Sequence, residues 1–247
     1  MALKAYSMHT VGQFKMRTVS YEQILFPALQ LCGLDRDLAT NQRFVMLRDL
    51  VNMRLRTIWE MHEWPDIRKI EKCSSTLVDG RRSINLPAGF GQILTIWNKD
   101  PMAQNSVQKD FELVGDVVYL KNDLDQDVWV ESRLECPYLD GETWDVSKTY
   151  VPGAKAYNNG NFYENTSATN QTGGTNPSAS GNWTVIQIPK LFANTLIYGL
   201  LSDYRRSTGE VELATAAEQD CQRAIDAALD QTLRQQGSIR PINFRGY

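Results

Sequence analysis

Residues 40–67 read "TNQRFVMLRDLVNMRLRTIWEMHEWPDI", and the fold turns on where this segment stops being a helix. Phe44, Leu47, Val51, Leu55, Ile58 and Met61 recur at steps of three and four, the spacing that lines one face of an α-helix. Pro65 ends it, because the residue before a proline is pushed out of the α region. Upstream, "SYEQILFPALQLCGL" has Ser20 three residues before Gln23, a capping-box spacing, and closes on Gly33, so it predicts a short helix limited by Pro27.

Downstream the period falls from 3.6 to 2. "STLVDGRRSINL" carries Asp79-Gly80 as a hairpin signal, "GQILTIWNKDP" runs into a proline turn, "FELVGDVVYL" sets Gly115-Asp116 between apolar runs, and "DVWVESRL" alternates. These predict an antiparallel sheet over about residues 74–135. After a polar stretch, "WTVIQIP" reads as a last strand leading into "KLFANTLIYGLLSDYRRSTGE", with Leu196, Ile197, Leu200, Leu201 and Tyr204 on its apolar face. Gly209 separates this helix from "EVELATAAEQDCQRAIDAALDQTLRQQG", where Leu213, Ala217, Cys221, Ala224, Ile225, Ala228 and Leu233 keep helical spacing and Gly237 marks the end. The expected class is α+β: a helical bundle built from the N- and C-terminal segments (1–73 and 184–237), an inserted antiparallel β region (74–139), a small β module (140–183) and an extended tail (238–247).

Composition narrows the function. Lys plus Arg number 26 against 29 Asp plus Glu, and with a pI near 5.5 the chain exerts no general pull on nucleic acid or anionic membrane. The N-terminus lacks an apolar signal core, and the longest greasy run, "LFANTLIYGLL", is too short to span a bilayer, which leads to the expectation of a soluble protein without an export signal. Cys32, Cys73, Cys136 and Cys221 lie far apart and form no metal-ligand spacing, so they read as reduced thiols.

Catalytic and cofactor signatures are missing. "HEWPD" has Asp66 where a zinc signature needs its second histidine, and the other histidine is His9. Asp123, Asp125 and Asp127 in "NDLDQD" lack the glycine and glutamate of a calcium loop. No nucleophile elbow, phosphate loop or dinucleotide turn occurs, so the expectation is a non-enzyme with no cofactor and no metal. Arg43, Arg48, Arg54 and Arg56 form a basic helix face interrupted by Asp49 and Glu60, read as solvated or facing a partner.

"NMRLRTIWEMHEWPDI", the β segment after it, and "IPKLFANTLIYGLLSDYRRSTGEVELATAAEQDCQRAIDAAL" together resemble the head-to-tail connector, or adaptor, proteins of tailed bacteriophages. The resemblance covers roughly residues 20–135 and 184–247. It implies a structural protein of the virion neck, assembled in the bacterial cytoplasm as a homo-oligomeric, dodecameric ring. Its partners would be the portal protein and a downstream tail protein, with DNA only passing through the channel. In that family C-terminal tails insert against the portal, which implies a docking role here for Arg240, Pro241, Ile242, Phe244, Arg245 and Tyr247.

Residues 144–186 raise a second resemblance, to the small chitin-binding-type carbohydrate module, through Tyr150, Gly153, Gly160, Tyr163, Pro177 and Trp183. It implies that the polar stretch "TSATNQTGGTNPSASGN" (166–182) is an ordered crossing over a minimal aromatic core. The copy departs from the pattern at Ala154, where Asp is usual, and Ala156, where Val is usual. Trp144, Tyr150, Tyr157, Tyr163 and Trp183 are therefore candidates for module core, for a glycan platform or for protein contact. The alternative function is carbohydrate binding through residues 140–183. The two connecting segments, "LECPYLDGETW" and "WTVIQIP", predict a module standing off the rest of the fold.

Overall fold

The computed structural model describes residues 17–35, 42–78, 80–84, 86, 89–115, 117–121, 127–172 and 176–235. Helix α1 (Glu22–Leu31) is followed by α2 (Gln42–Met61), which buries Leu47, Val51, Leu55, Ile58 and Trp59. Its last turn is closed from outside. The fully buried Trp64 donates its indole N–H to the Ile58 carbonyl at 2.7 Å, satisfying one of the acceptors that every helix C-terminus leaves open. Pro65 then opens a single 3-10 turn (Pro65–Ile67) and the chain passes at once into a strand, so the sheet begins at Arg68 rather than near residue 74.

Seven antiparallel strands follow: β2 (Arg68–Val78), β3 (Arg81–Ile84), β4 (Phe90–Trp97), β5 (Gln108–Lys109), β6 (Phe111–Val114), β7 (Val117–Leu120) and β8 (Asp127–Leu134). Their order across the sheet is β5-β4-β8-β2-β3-β7-β6. The two outermost strands are neighbours in sequence, separated only by Asp110. One segment thus bonds to β4 through Lys109 and Gln108 and to β7 through Phe111–Val114, drawing the edges of the sheet together into a near-barrel. Its interior is Cys73, Ile84, Ile96, Val118, Leu120, Val128 and Val130.

The barrel leads into a smaller sheet of order β14-β12-β11-β9, made of β9 (Glu142–Thr143), β11 (Lys155–Asn158), β12 (Asn161–Asn165) and β14 (Trp183–Val185), with β10 (Thr149–Tyr150) paired to β13 (Gln171–Thr172). Strand alternation gives the β11–β12 hairpin two buried faces. Ala156 and Tyr163 point to one side, where Trp183 completes a local core. Tyr157 and Phe162 point to the other and enter the core beneath α1. The hairpin is also bonded to α1. Asn161 donates from Nδ2 to the Glu22 carboxylate at 2.8 Å and accepts from the Glu22 amide, and Gly160, at φ +85°, leaves room for Phe26 and Glu22. The module does not stand off the fold; it supplies two of the rings on which α1 rests.

A last strand, β15 (Ile188–Pro189), pairs antiparallel with β1 (Thr18–Val19) and delivers the chain into α3 (Ala193–Ser207) and α4 (Val211–Gln235), which pack against each other. The expected helical bundle is overturned. The chain is mixed α+β and rich in sheet, with four α-helices among the described residues and the seven-stranded near-barrel as its largest single element. The physical reason lies in what the apolar helix faces meet. The main core joins α1, α2 and α3 to Leu139, Tyr157, Phe162 and Ile188, all from outside the helices, and the buried stripe of α4 is thin. That stripe runs through Ala214, Ala217, Cys221, Ile225 and Ala228, while Leu213 and Leu233, expected on it, are exposed. Small side chains allow α4 to lie close to α3 but provide too little apolar surface to center a bundle.

Candidate interaction surfaces

The five aromatics singled out in the module are mostly structural in position. Trp183 and Tyr163 are 7% and 6% exposed, so neither ring has a free face on which a sugar could stack. Tyr150 meets Trp183 edge to face at 5.2 Å, and its hydroxyl accepts the Asp145 amide at 2.8 Å. Trp144 is half-buried against the same cluster. Tyr157 packs on Phe162 in the main core, and burial pushes its phenol, like that of Tyr163, above the usual range. The exposed ring here is Tyr138, which the sequence reading passed over; Lys155 stands over it and donates to the Tyr138 carbonyl. The described parts of the polar stretch, 166–172 and 176–182, are held by their own side chains, and residues 173–175 lie outside the described residues. Asn176 accepts from the Ser178 amide at the turn Pro177–Ala179, and Asn182 donates to Gln171 at 2.9 Å.

The arginine row on α2 divides. Arg54 is drawn inward, with Nε and Nη2 on Asp203 at 2.7 Å and Nη1 and Nη2 on Glu218 at 2.8 and 2.7 Å, so one guanidinium ties α2 to both α3 and α4. Gly199 makes this path available, since a Cβ there would lie 3.3 Å from Arg54 Cδ. Arg48 reaches Asp49 and Asp140, and Arg56 is exposed beside Glu60. The Arg43 side chain lies outside the described residues.

The carboxylates displaced from their ordinary range, Asp127, Glu142, Asp145 and Glu218, all move down, held ionised by Lys72, Lys148, Ser147 and Arg54 respectively. The thiols move the other way, with burial pushing Cys136 and Cys221 up to about 11, which suppresses the reactive thiolate. Among the described residues no three His, Cys, Asp or Glu side chains stand together as metal ligands, and no helix is long and apolar enough to cross a membrane. His9, Asp123, Asp125 and the tail residues Arg240, Pro241, Ile242, Phe244, Arg245 and Tyr247 lie outside the described residues.

What remains is the barrel surface. At the tip of the β6–β7 hairpin Leu113 and Val114 are 58% and 54% exposed, with Val117 paired to Val114, and at the opposite end of the sheet Leu77 is 62% exposed. On its outer wall Trp97 and Trp129 are cross-strand partners, on the face opposite buried Ile96, Val128 and Val130. Beside them Arg68 is paired with the buried Glu131, which also accepts from the Trp97 indole at 3.5 Å. The alternation in "DVWVESRL" already placed Trp129 opposite Val128 and Val130. The exposed hairpin tip could not be read from sequence, because whether Leu113 is covered depends on how the sheet closes. No protein-family model and no curated protein matches this chain.

Proposed function

We propose that the chain is a structural subunit: copies of it form a ring in the virion neck that joins a phage portal to its tail and continues the channel through which DNA passes. The observation that carries this reading is the exposed apolar tip of the β6–β7 hairpin, Leu113, Val114 and Val117, the kind of surface that marks contact with another protein. The carbohydrate alternative draws no support from a module whose Tyr163 and Trp183 are buried.

The test is the mass of the purified chain by native mass spectrometry, alone and after mixing with a portal ring. A closed multimer alone, or one templated by the portal, is the expected result. A monomer under both conditions removes the reading.

A further inference from the structure

The near-barrel is not closed along its whole length. Strand β4 pairs with β5 through Ile96 and Trp97, opposite Lys109 and Gln108, and the ladder continues outward with the Asn98 amide on the Val107 carbonyl. Continuing that ladder inward would set Gly91–Leu94 against β6, but among the described residues β6 has β7 as its single neighbour. The cause is visible in β4, whose register against β8 shifts between Phe90 and Ile93 and again between Ile93 and Thr95. Such bulges bend a strand and end its pairing. A seam therefore opens between the first half of β4 and β6, with Phe90, Ile93 and Phe111 half-buried at its floor.

The chemistry of the seam specifies an extended guest. Lys121 donates its amide to the Asp110 carbonyl, so alternation along β6 turns the amides and carbonyls of Phe111 and Leu113 away from β7, into the seam. Among the described residues these are open strand-edge groups flanked by apolar side chains. The two faces differ in character. Toward the interior lie Phe111, Phe90 with Lys69 over its ring at 5.1 Å, and Ile93; toward the outer wall lie exposed Glu112 of β6 and Asp110 just before it.

We infer that the seam receives residues 238–247 of a second copy of the chain as an added strand, so that each subunit is laced to the next. The inference rests on the ring reading and moves the tail from the portal to the neighbouring subunit. In "SIRPINFRGY" Ile242 and Phe244 share one side of an extended strand, suited to the apolar floor, while Arg245 falls on the other, suited to Asp110 and Glu112. Pro241, which donates no hydrogen bond, stands ahead of the paired residues, where a strand tolerates it. From Gln235, twelve residues reach about 40 Å when extended, enough to cross to a neighbour.

The experiment compares the full chain with a variant ending at residue 237. Hydrogen exchange at the Phe111 and Leu113 amides is expected to be at least tenfold faster in the shortened chain, which also loses its multimer in native mass spectrometry. A synthetic peptide of residues 236–247 should bind the shortened chain and restore the protection. Arg245→Glu in the peptide, or Leu113→Lys in a protein that keeps its circular dichroism spectrum, should weaken binding at least tenfold. Unchanged exchange on truncation, or no binding of the peptide, overturns the proposal. So does a full chain that protects these amides as a monomer, since the tail would then fold back on its own subunit. A shortened chain that still forms rings sinks the lacing and leaves the ring reading standing; a full chain that never assembles, even with portal, sinks the ring reading, and the peptide titration still reports on the seam.

Discussion

The ring of Tyr21 meets that of Phe162 edge-on, with centroids 5.2 Å apart, although 141 positions separate the two residues. Both are fully buried. This contact joins the start of α1 to the hairpin of the aromatic module, and it makes the module part of the fold's foundation.

Phe162→Ala should therefore destabilise the whole chain, by about 3–5 kcal/mol, the usual loss when a buried aromatic ring is replaced by a cavity. Thermal unfolding followed at a helical circular dichroism wavelength checks it. A melting curve for α-helix that does not move would mean that the helices and the module unfold separately.

Replacing residues 142–182 with a short Gly-Ser linker takes Tyr157 and Phe162 out of the main core together. The product is expected to lose helical signal and aggregate. A soluble variant with native helix content would show that α1 and α3 hold without the hairpin.

Arg54→Ala leaves Asp203, 7% exposed at its side chain, with only the more exposed Arg206 guanidinium at 3.7 Å and without the two short hydrogen bonds from Arg54. Breaking a buried pair from one side costs about 3–5 kcal/mol, so this variant should be far less stable than Arg56→Ala, whose side chain is 78% exposed. Equal denaturant midpoints for the two would contradict the three-helix clamp.

The same clamp has a pH signature. Arg54 holds the Glu218 carboxyl below its ordinary range, so the folded state favours the ionised form. The stability this adds is present above the unfolded carboxyl value, near pH 4.3, and is lost as pH falls through the lower folded value. Wild type should outlast Glu218→Gln at pH 7, and the two melting temperatures should converge as the solution is acidified below pH 4. A gap that stays constant down to pH 2 would assign the effect to something other than ionisation.

The local elements were legible because each rests on neighbours in sequence. The α2 stripe ending at Ile58, the stop at Pro65 and the alternation of "DVWVESRL" need no knowledge of distant chain. The bundle was misjudged because helical periodicity reports that a face is buried and not what buries it; Tyr157 and Ile188 do part of that work. Arg54 shows the same limit. Its place in a row of arginines suggested a face turned to solvent or to a partner, and the approach of α3 at Gly199 draws it inward. Leu213 and Leu233 erred for a smaller reason: each lies one position away from a small buried residue, Ala214 and Thr232, and large apolar residues attract the eye more than small ones.

The pairing of β1 with β15 carries a consequence for synthesis. Thr18 must wait for Pro189, and α1 for α3, whereas the near-barrel draws all its strands from residues 68–134. At about 5–20 residues per second, several seconds pass on the ribosome between the emergence of the first helix and that of the segments that cover it. In that interval the barrel can close while α1 and α2 still expose their apolar faces, so chaperone demand falls on the amino-terminal helices, and a pause placed after residue 134 would lengthen it.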